Sequence, residues 1–221
     1  MTRARTLDLL RHADAEERGL AAFNVLHIET VEALAEAATR AGHGIVLQIS
    51  ENCVDYHGSL APIAEATKTV AGATDVPLAV HLDHATRTDP DEARAFVEAT
   101  GVDALAVAVG SSHQMVDRTA QLDLDLVERL RVAVPVPLVL HGSSGVPDTG
   151  IRLGIAAGLR KINVSTQLNK AFTSGVRARL ERDAALVDSR KYLHEGRELL
   201  TAEADRLIRL FARPLGSPDA T

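Results

Sequence analysis

Three apolar runs in this chain end in residues able to hold a cation. The run 76–80 leads into His81-Leu82-Asp83-His84, the run 136–140 ends in His141-Gly142-Ser143-Ser144-Gly145, and the run 102–109 is followed by Gly110-Ser111-Ser112-His113. One histidine after a strand carries little weight, because such a residue is often only hydrogen-bonded at a surface. Three strand ends offering three imidazoles match the ligand count of a catalytic zinc site with one position left open. The same region offers an anion site. The segment 142–145 can turn tightly and expose backbone N–H groups. Asn163-Val164-Ser165-Thr166 ends a strand just before a helix whose N-terminus favours negative charge.

The elements needed to position these residues are legible from hydrophobic patterning. Short apolar or β-branched runs alternate with amphipathic segments, the signature of repeated βα units. Six strands are predicted near 21–25, 44–50, 76–83, 102–109, 135–141 and 161–166. Helices are predicted near 28–41, 59–72, 90–100, 122–132, 147–159, 167–186 and 197–212. Ile28, Val31, Leu34, Ala35 and Ala38 carry the spacing of a helix laid on a sheet. Ser59 and Asp89 read as N-caps, and Pro90 and Pro147 fall where a first turn tolerates proline. Strands that finish in histidine and glycine are how a parallel α/β barrel presents ligands and anion-binding loops at one mouth.

Composition narrows the function. The chain has 221 residues, 46% hydrophobic and 24% charged, enough to bury one substantial core, and no Pro, Gly or Ser linker divides it. A single domain spanning 1–221 is expected. The net charge of −6 argues against nucleic-acid or anionic-membrane partners and leaves any phosphate to be held by local dipoles. No signal-like or membrane-spanning apolar stretch is present, so a cytoplasmic location is expected. The single cysteine, Cys53, excludes an intrachain disulfide framework and reads as a buried small side chain rather than an activated thiol.

The chain resembles the class II, metal-dependent fructose-bisphosphate and tagatose-bisphosphate aldolases. The resemblance rests on Ala22-Phe23-Asn24-Val25, on Ile45-Val46-Leu47-Gln48-Ile49-Ser50, on His81-Leu82-Asp83-His84, on His141-Gly142-Ser143-Ser144-Gly145, on Lys161-Ile162-Asn163-Val164-Ser165-Thr166, and on Asp188-Ser189-Arg190-Lys191-Tyr192-Leu193. It implies a TIM-barrel-like (β/α) fold and a lyase that reversibly cleaves a ketose bisphosphate through dihydroxyacetone phosphate. It also implies Zn²⁺ or another divalent metal held by His84, His113 and His141, with Asp83 as the acid/base group on the hydroxyl proton. Asn24, Gln48, Gly142, Ser144, Asn163, Ser165 and Thr166 would contact the phosphate or substrate, and His81 would support the ligands. Gln114 stands where the family often has glycine, which removes one expected backbone contact. A phosphorylated sugar is the expected partner, in a homo-oligomer.

One departure is large. Only about 17 residues separate His84 from Val102, enough for one helix and its connections. A complete eight-stranded barrel needs two further βα units there, on the order of sixty residues if about 250 are shared among eight units. The resemblance puts the junction just after Ala85. The missing units would carry the family's fourth and fifth strands, an acidic residue on each, and the loop supplying the base that abstracts a carbon-bound proton. An incomplete or distorted barrel is therefore expected. Beside an active aldolase stands the alternative of a catalytically impaired metal- and phosphate-binding relative or truncated gene product. A Schiff-base mechanism is the weaker third reading, because Lys161 is expected at the start of its strand, away from the mouth.

Overall fold

The computed structural model describes residues 4–82, 89–100, 103–110 and 118–213. Among these residues there are six parallel strands: β1 (Leu20–Asn24), β2 (Ile45–Ile49), β3 (Leu78–Leu82), β4 (Leu105–Val107), β5 (Leu138–Leu140) and β6 (Leu159–Val164). The helices are α1 (Thr6–Ala15), α2 (Ile28–Ala41), α3 (Glu51–His57), α4 (Leu60–Gly72), α5 (Pro90–Thr100), α6 (Leu124–Ala133), α7 (Asp148–Ala157), α8 (Thr166–Arg182) and α9 (Ser189–Ala212). The order across the sheet is β3-β2-β1-β6-β5-β4. The first and last strands meet in the middle, as they do in a closed barrel. The sheet opens between β3 and β4, which α5 joins in sequence, and the barrel is incomplete where the two units were expected to be missing.

Alternation along each strand separates two cores. Phe23, Leu47, Leu78, Leu105, Leu140 and Ile162 belong to one large cluster with the helices. Phe23 and Phe211 are wholly buried in it, each contributing about 1.5–3 kcal/mol of transfer free energy. On the other face, Leu20, Ala22, Val46 and Ala79 form a smaller cluster with Leu9, Leu10 and Ala13 of α1. Helix α1 thus covers the apolar, N-terminal part of the inner face. Polar residues take over one step further along the same strands: Asn24 after Ala22, Gln48 after Val46, His81 after Ala79, and Asn163 after Lys161.

All six predicted strands and all seven predicted helices are present, α2 and α5 with the predicted bounds and the others with shifted ends. Ser59 caps α4 by accepting from Ala61 N, and Asp89 accepts from the N–H groups of Asp91 and Glu92 at the start of α5. Pro147 is the residue before α7 rather than inside its first turn. Two helices, α1 and α3, were not predicted.

Candidate active site

The C-terminal ends of the four central strands converge on one polar network. Lys161, the third of the six residues of β6, is 3% exposed, and its ammonium donates to Gln48 Oε1 and to Asn163 Oδ1 at 2.9 Å. An ammonium has donors only, so it fixes both amides with their oxygens toward it. Gln48 Nε2 then donates to Asn24 Oδ1 at 3.0 Å, and Asn163 Nδ2 points at His141 Nδ1 at 3.3 Å. That orientation makes His141 Nδ1 the acceptor, with its lone pair directed at the Asn163 amide. The chain of contacts runs from Asn24 through Gln48, Lys161 and Asn163 to His141, across β1, β2, β6 and the residue after β5.

Above the network lies a compact pocket of about 70 Å³ lined by Asn24, His141, Gly142, Ser144, Asn163, Ser165 and Thr166, with Ser143 and Val164 completing its wall. Gly142 has φ +76°, a left-handed conformation that lets the chain turn directly after β5. The turn is pinned by Ser143, whose hydroxyl donates to Asn163 O. Thr166 opens α8, so the unpaired N–H groups of its first turn and the positive end of its dipole face the same pocket. With Asn24 Oδ1 occupied by Gln48, the Asn24 amide nitrogen is the donor left toward the pocket.

A second set of contacts fixes the loops around this mouth. Arg118 donates from Nε and Nη2 to Val146 O at 3.0 and 2.6 Å and pairs with Asp148 at 2.6 Å. Asp148 also accepts from Arg206 on α9. Burial pushes the Asp148 carboxyl up, but the hydrogen bonds from Arg206 and Arg118 outweigh it and hold the group below its usual value. Ala120 N donates to Gly145 O at 2.8 Å, so the segment after β4 is tied twice to the segment after β5.

Of the sequence-derived site residues, Asn24, His141, Gly142, Ser144, Asn163, Ser165 and Thr166 come together. Gln48 is 0% exposed and lies outside the lining of this pocket, with its amide bridging Asn24 and Lys161. Lys161 is corrected in position, from strand start to mid-strand. Asp83, His84 and His113 lie outside the described residues. Among the described residues no group of three or more His, Cys, Asp or Glu side chains could hold a metal ion. His81 sits on β3 in register with Gln48. Sequence reasoning missed Arg118, whose signal is only a charge following a polar stretch.

The profile described as fructose-bisphosphate aldolase class-II matches residues 4–89 and 86–214, two segments that meet at the opening between β3 and β4. The chain belongs to the class-II fructose-bisphosphate aldolase family. Among solved structures it is similar to the YdjI aldolase from Escherichia coli K12, with 25% identity, a TM-score of 0.83, and coverage of 98% of this chain and 100% of that chain. The fructose-bisphosphate aldolase of Campylobacter jejuni shares the fold, with 17% identity, a TM-score of 0.79, and coverage of 95% of each chain. No helix of the described residues is long and apolar enough to cross a membrane.

Proposed function

We propose that this aldolase-family chain binds a divalent metal, zinc by preference, through His84, His113 and His141, and a phosphorylated ketose such as fructose or tagatose 1,6-bisphosphate at the pocket between β5, β6 and α8. The observation that carries the reading is the convergence of His141, the 142–145 turn, Asn24 and the first turn of α8 on one small pocket at the strand ends. The imidazole of His141 lines that pocket, and its orientation is fixed through Asn163 by Lys161.

When bound, a divalent ion supplies Lewis acidity for the negative charge that accumulates as the carbon–carbon bond breaks. The chain's own residues do the rest. Asn24 Nδ2 and the N–H groups of the 142–145 turn and of the α8 first turn hold the phosphate of the three-carbon ketone half. Asp83 takes the hydroxyl proton on the far carbon, the C–C electron pair remains on the ketone half, and an aldehyde leaves. A proton must then return to that carbon. The units that carry the family's base for this step are the ones absent at the opening, so slow exchange and weak turnover are expected. A Schiff base on Lys161 is disfavoured by the two amide oxygens that occupy its ammonium.

Metal analysis of the purified chain should show about one divalent ion per chain and a sharp loss in His141→Ala; unchanged stoichiometry in that variant would sink the ligand assignment. Titration with dihydroxyacetone phosphate and with dihydroxyacetone tests the phosphate pocket, and Thr166→Val should weaken only the former. Equal affinities for the two are incompatible with the pocket's role. Borohydride with substrate should leave no adduct on Lys161, and carbon-bound hydrogen of dihydroxyacetone phosphate should exchange slowly in deuterated water. Rapid exchange would mean that another residue replaces the absent base.

A further inference from the structure

The two helices that lead away from the pocket, α7 and α8, begin without a side-chain cap. Helices α2, α3, α4, α6 and α9 each start at a residue whose side chain accepts from a first-turn N–H, whereas Pro147 and Ser165 make no such bond. A missing cap leaves first-turn N–H groups free for an anion, but it also leaves that turn without a local brace. Both turns are braced from α9 instead.

Asp148 is the first residue of α7 and Gln167 the second of α8. Arg206 of α9 connects them. Its Nη1 donates to Asp148 Oδ2, and its Nε and Nη2 donate to the two oxygens of Glu203, each at 2.9 Å. Glu203 also accepts from Gln167 Nε2, and Asp148 also accepts from Arg118, which in turn holds Val146 O. The strap therefore runs from Val146 through Arg118, Asp148, Arg206 and Glu203 to Gln167, and joins the end of the 142–145 turn to the start of α8. Every nitrogen of the Arg206 guanidinium is used, and the group keeps its charge.

Arg206 itself lines no part of the phosphate pocket. Nor do the helices depend on it for their packing. Arg152 pins α7 to the end of α9 by donating to Arg213 O at 2.6 Å, and α8 lies so close to α9 that a Cβ on Gly175 would stand 2.5 Å from Glu195 O. What Arg206 adds is confined to the helix ends nearest the pocket.

We infer that Arg206 is a positioning residue for phosphate binding, which sets the spacing between the 142–145 turn and the first turn of α8 without touching the ligand. The inference rests on the function proposed above for that pocket and adds the residue that holds its two walls in place. An arginine suits the task because its planar fork pairs with Glu203 through two parallel hydrogen bonds and still presents Nη1 to Asp148 at a fixed angle. A lysine ammonium has the charge but no fork.

Calorimetric titration of the full chain with inorganic phosphate, dihydroxyacetone phosphate and dihydroxyacetone tests this. Arg206→Met should weaken the two phosphorylated probes by about tenfold, the scale on which outer partners act on a bound ion, and leave dihydroxyacetone unchanged. Arg206→Lys should recover only part of the loss. Arg209→Met removes another α9 arginine, one paired with Asp205 and Arg40 O, and should bind all three probes as the wild type does. Asp148→Asn should also weaken phosphate, and should cost less when added to Arg206→Met than it costs alone, because both changes cut one strap. Gln167→Leu cuts the strap on its α8 side and should give a loss of the same sign, so the test stands even where Arg206→Met fails to fold. Unchanged phosphate affinity in Arg206→Met and Gln167→Leu, or strictly additive losses, overturns the assignment of Arg206 and leaves the pocket standing. Full recovery in Arg206→Lys would show that charge alone matters and would also overturn it. Failure of the wild type to bind either phosphorylated probe overturns both readings.

Discussion

Replacing Gly110 by alanine should damage this protein more than the same change at Gly42 or Gly58, the turn glycines with open space around them. Gly110 follows β4 with φ +98°, and a Cβ there would lie 2.5 Å from the backbone oxygen of Gln121. Two costs combine. Holding a side chain at that φ costs about 1–3 kcal/mol. Relieving a clash with backbone, which cannot rotate away as a side chain can, costs about 1–3 kcal/mol more. The total of about 2–6 kcal/mol corresponds to a Tm lower by roughly 4–24 °C for a chain of this size. Gly58 supplies the control, because it has φ +69° with nothing within 4 Å of a Cβ. Gly58→Ala therefore carries only the conformational cost, about 1–2 kcal/mol. Scanning calorimetry of both variants tests the reasoning, and a Gly110→Ala Tm no lower than that of Gly58→Ala would refute it. Gly110 also stands three residues before His113, so divalent-metal content should fall in Gly110→Ala beyond what unfolding explains. A well-folded variant with full metal content would detach this turn from the proposed ligand.

Asp148→Asn should cost about 1 kcal/mol, a figure reduced because its ion pairs with Arg118 and Arg206 are about one-third exposed. The folded-state Asp148 carboxyl lies below its ordinary value, so its stabilisation is fully present above that ordinary value and is lost as pH falls through the lowered one. Acid titration of Tm below about pH 4 should therefore be steeper in the wild type than in Asp148→Asn, and parallel curves would remove Asp148 from the account. Burial pushes the Cys53 thiol up, so its reaction with a disulfide reagent at pH 8 should be slow in the native chain and fast in denaturant. Equal rates would show that Cys53 is reached without unfolding.

Most of the sheet could be read from the chain because its strands are short apolar runs bounded by turn residues. The failures have physical causes. Helix α1 has only Leu9, Leu10 and Ala13 buried among several charges, and its reason to exist is the inner face of the sheet, a tertiary surface with no local signature. Helix α3 is one short segment capped by Ser50, with only Cys53 buried. Strand β6 starts two residues before its predicted position, because a charged Arg160 breaks the apolar run; in the fold it is 2% exposed and donates to Asp14, Ile155 O and Leu159 O. The pocket loops were legible because glycine, serine and asparagine at strand ends have few other uses. Gln48 and Lys161 were not, since alternation shows that a residue points inward without telling whether it meets substrate or another amide.

The place of the opening has a consequence for how the chain holds together. A closed barrel is a ring, and a ring cut once keeps every other joint. Here the cut falls between β3 and β4, so each half of the sequence is a contiguous block of three strands: β1 to β3 before α5, and β4 to β6 after it. The blocks are joined sideways by the pairing of β1 with β6, over residues 20–23 and 161–164, and by α9, which packs against both α2 and β1. The covalent bridge through α5 is thus far from the joint that bears the association. Two separately produced fragments divided near residue 88 carry complementary surfaces for reassembly, and an opening at this seam falls at the ends of the sheet while sparing its middle.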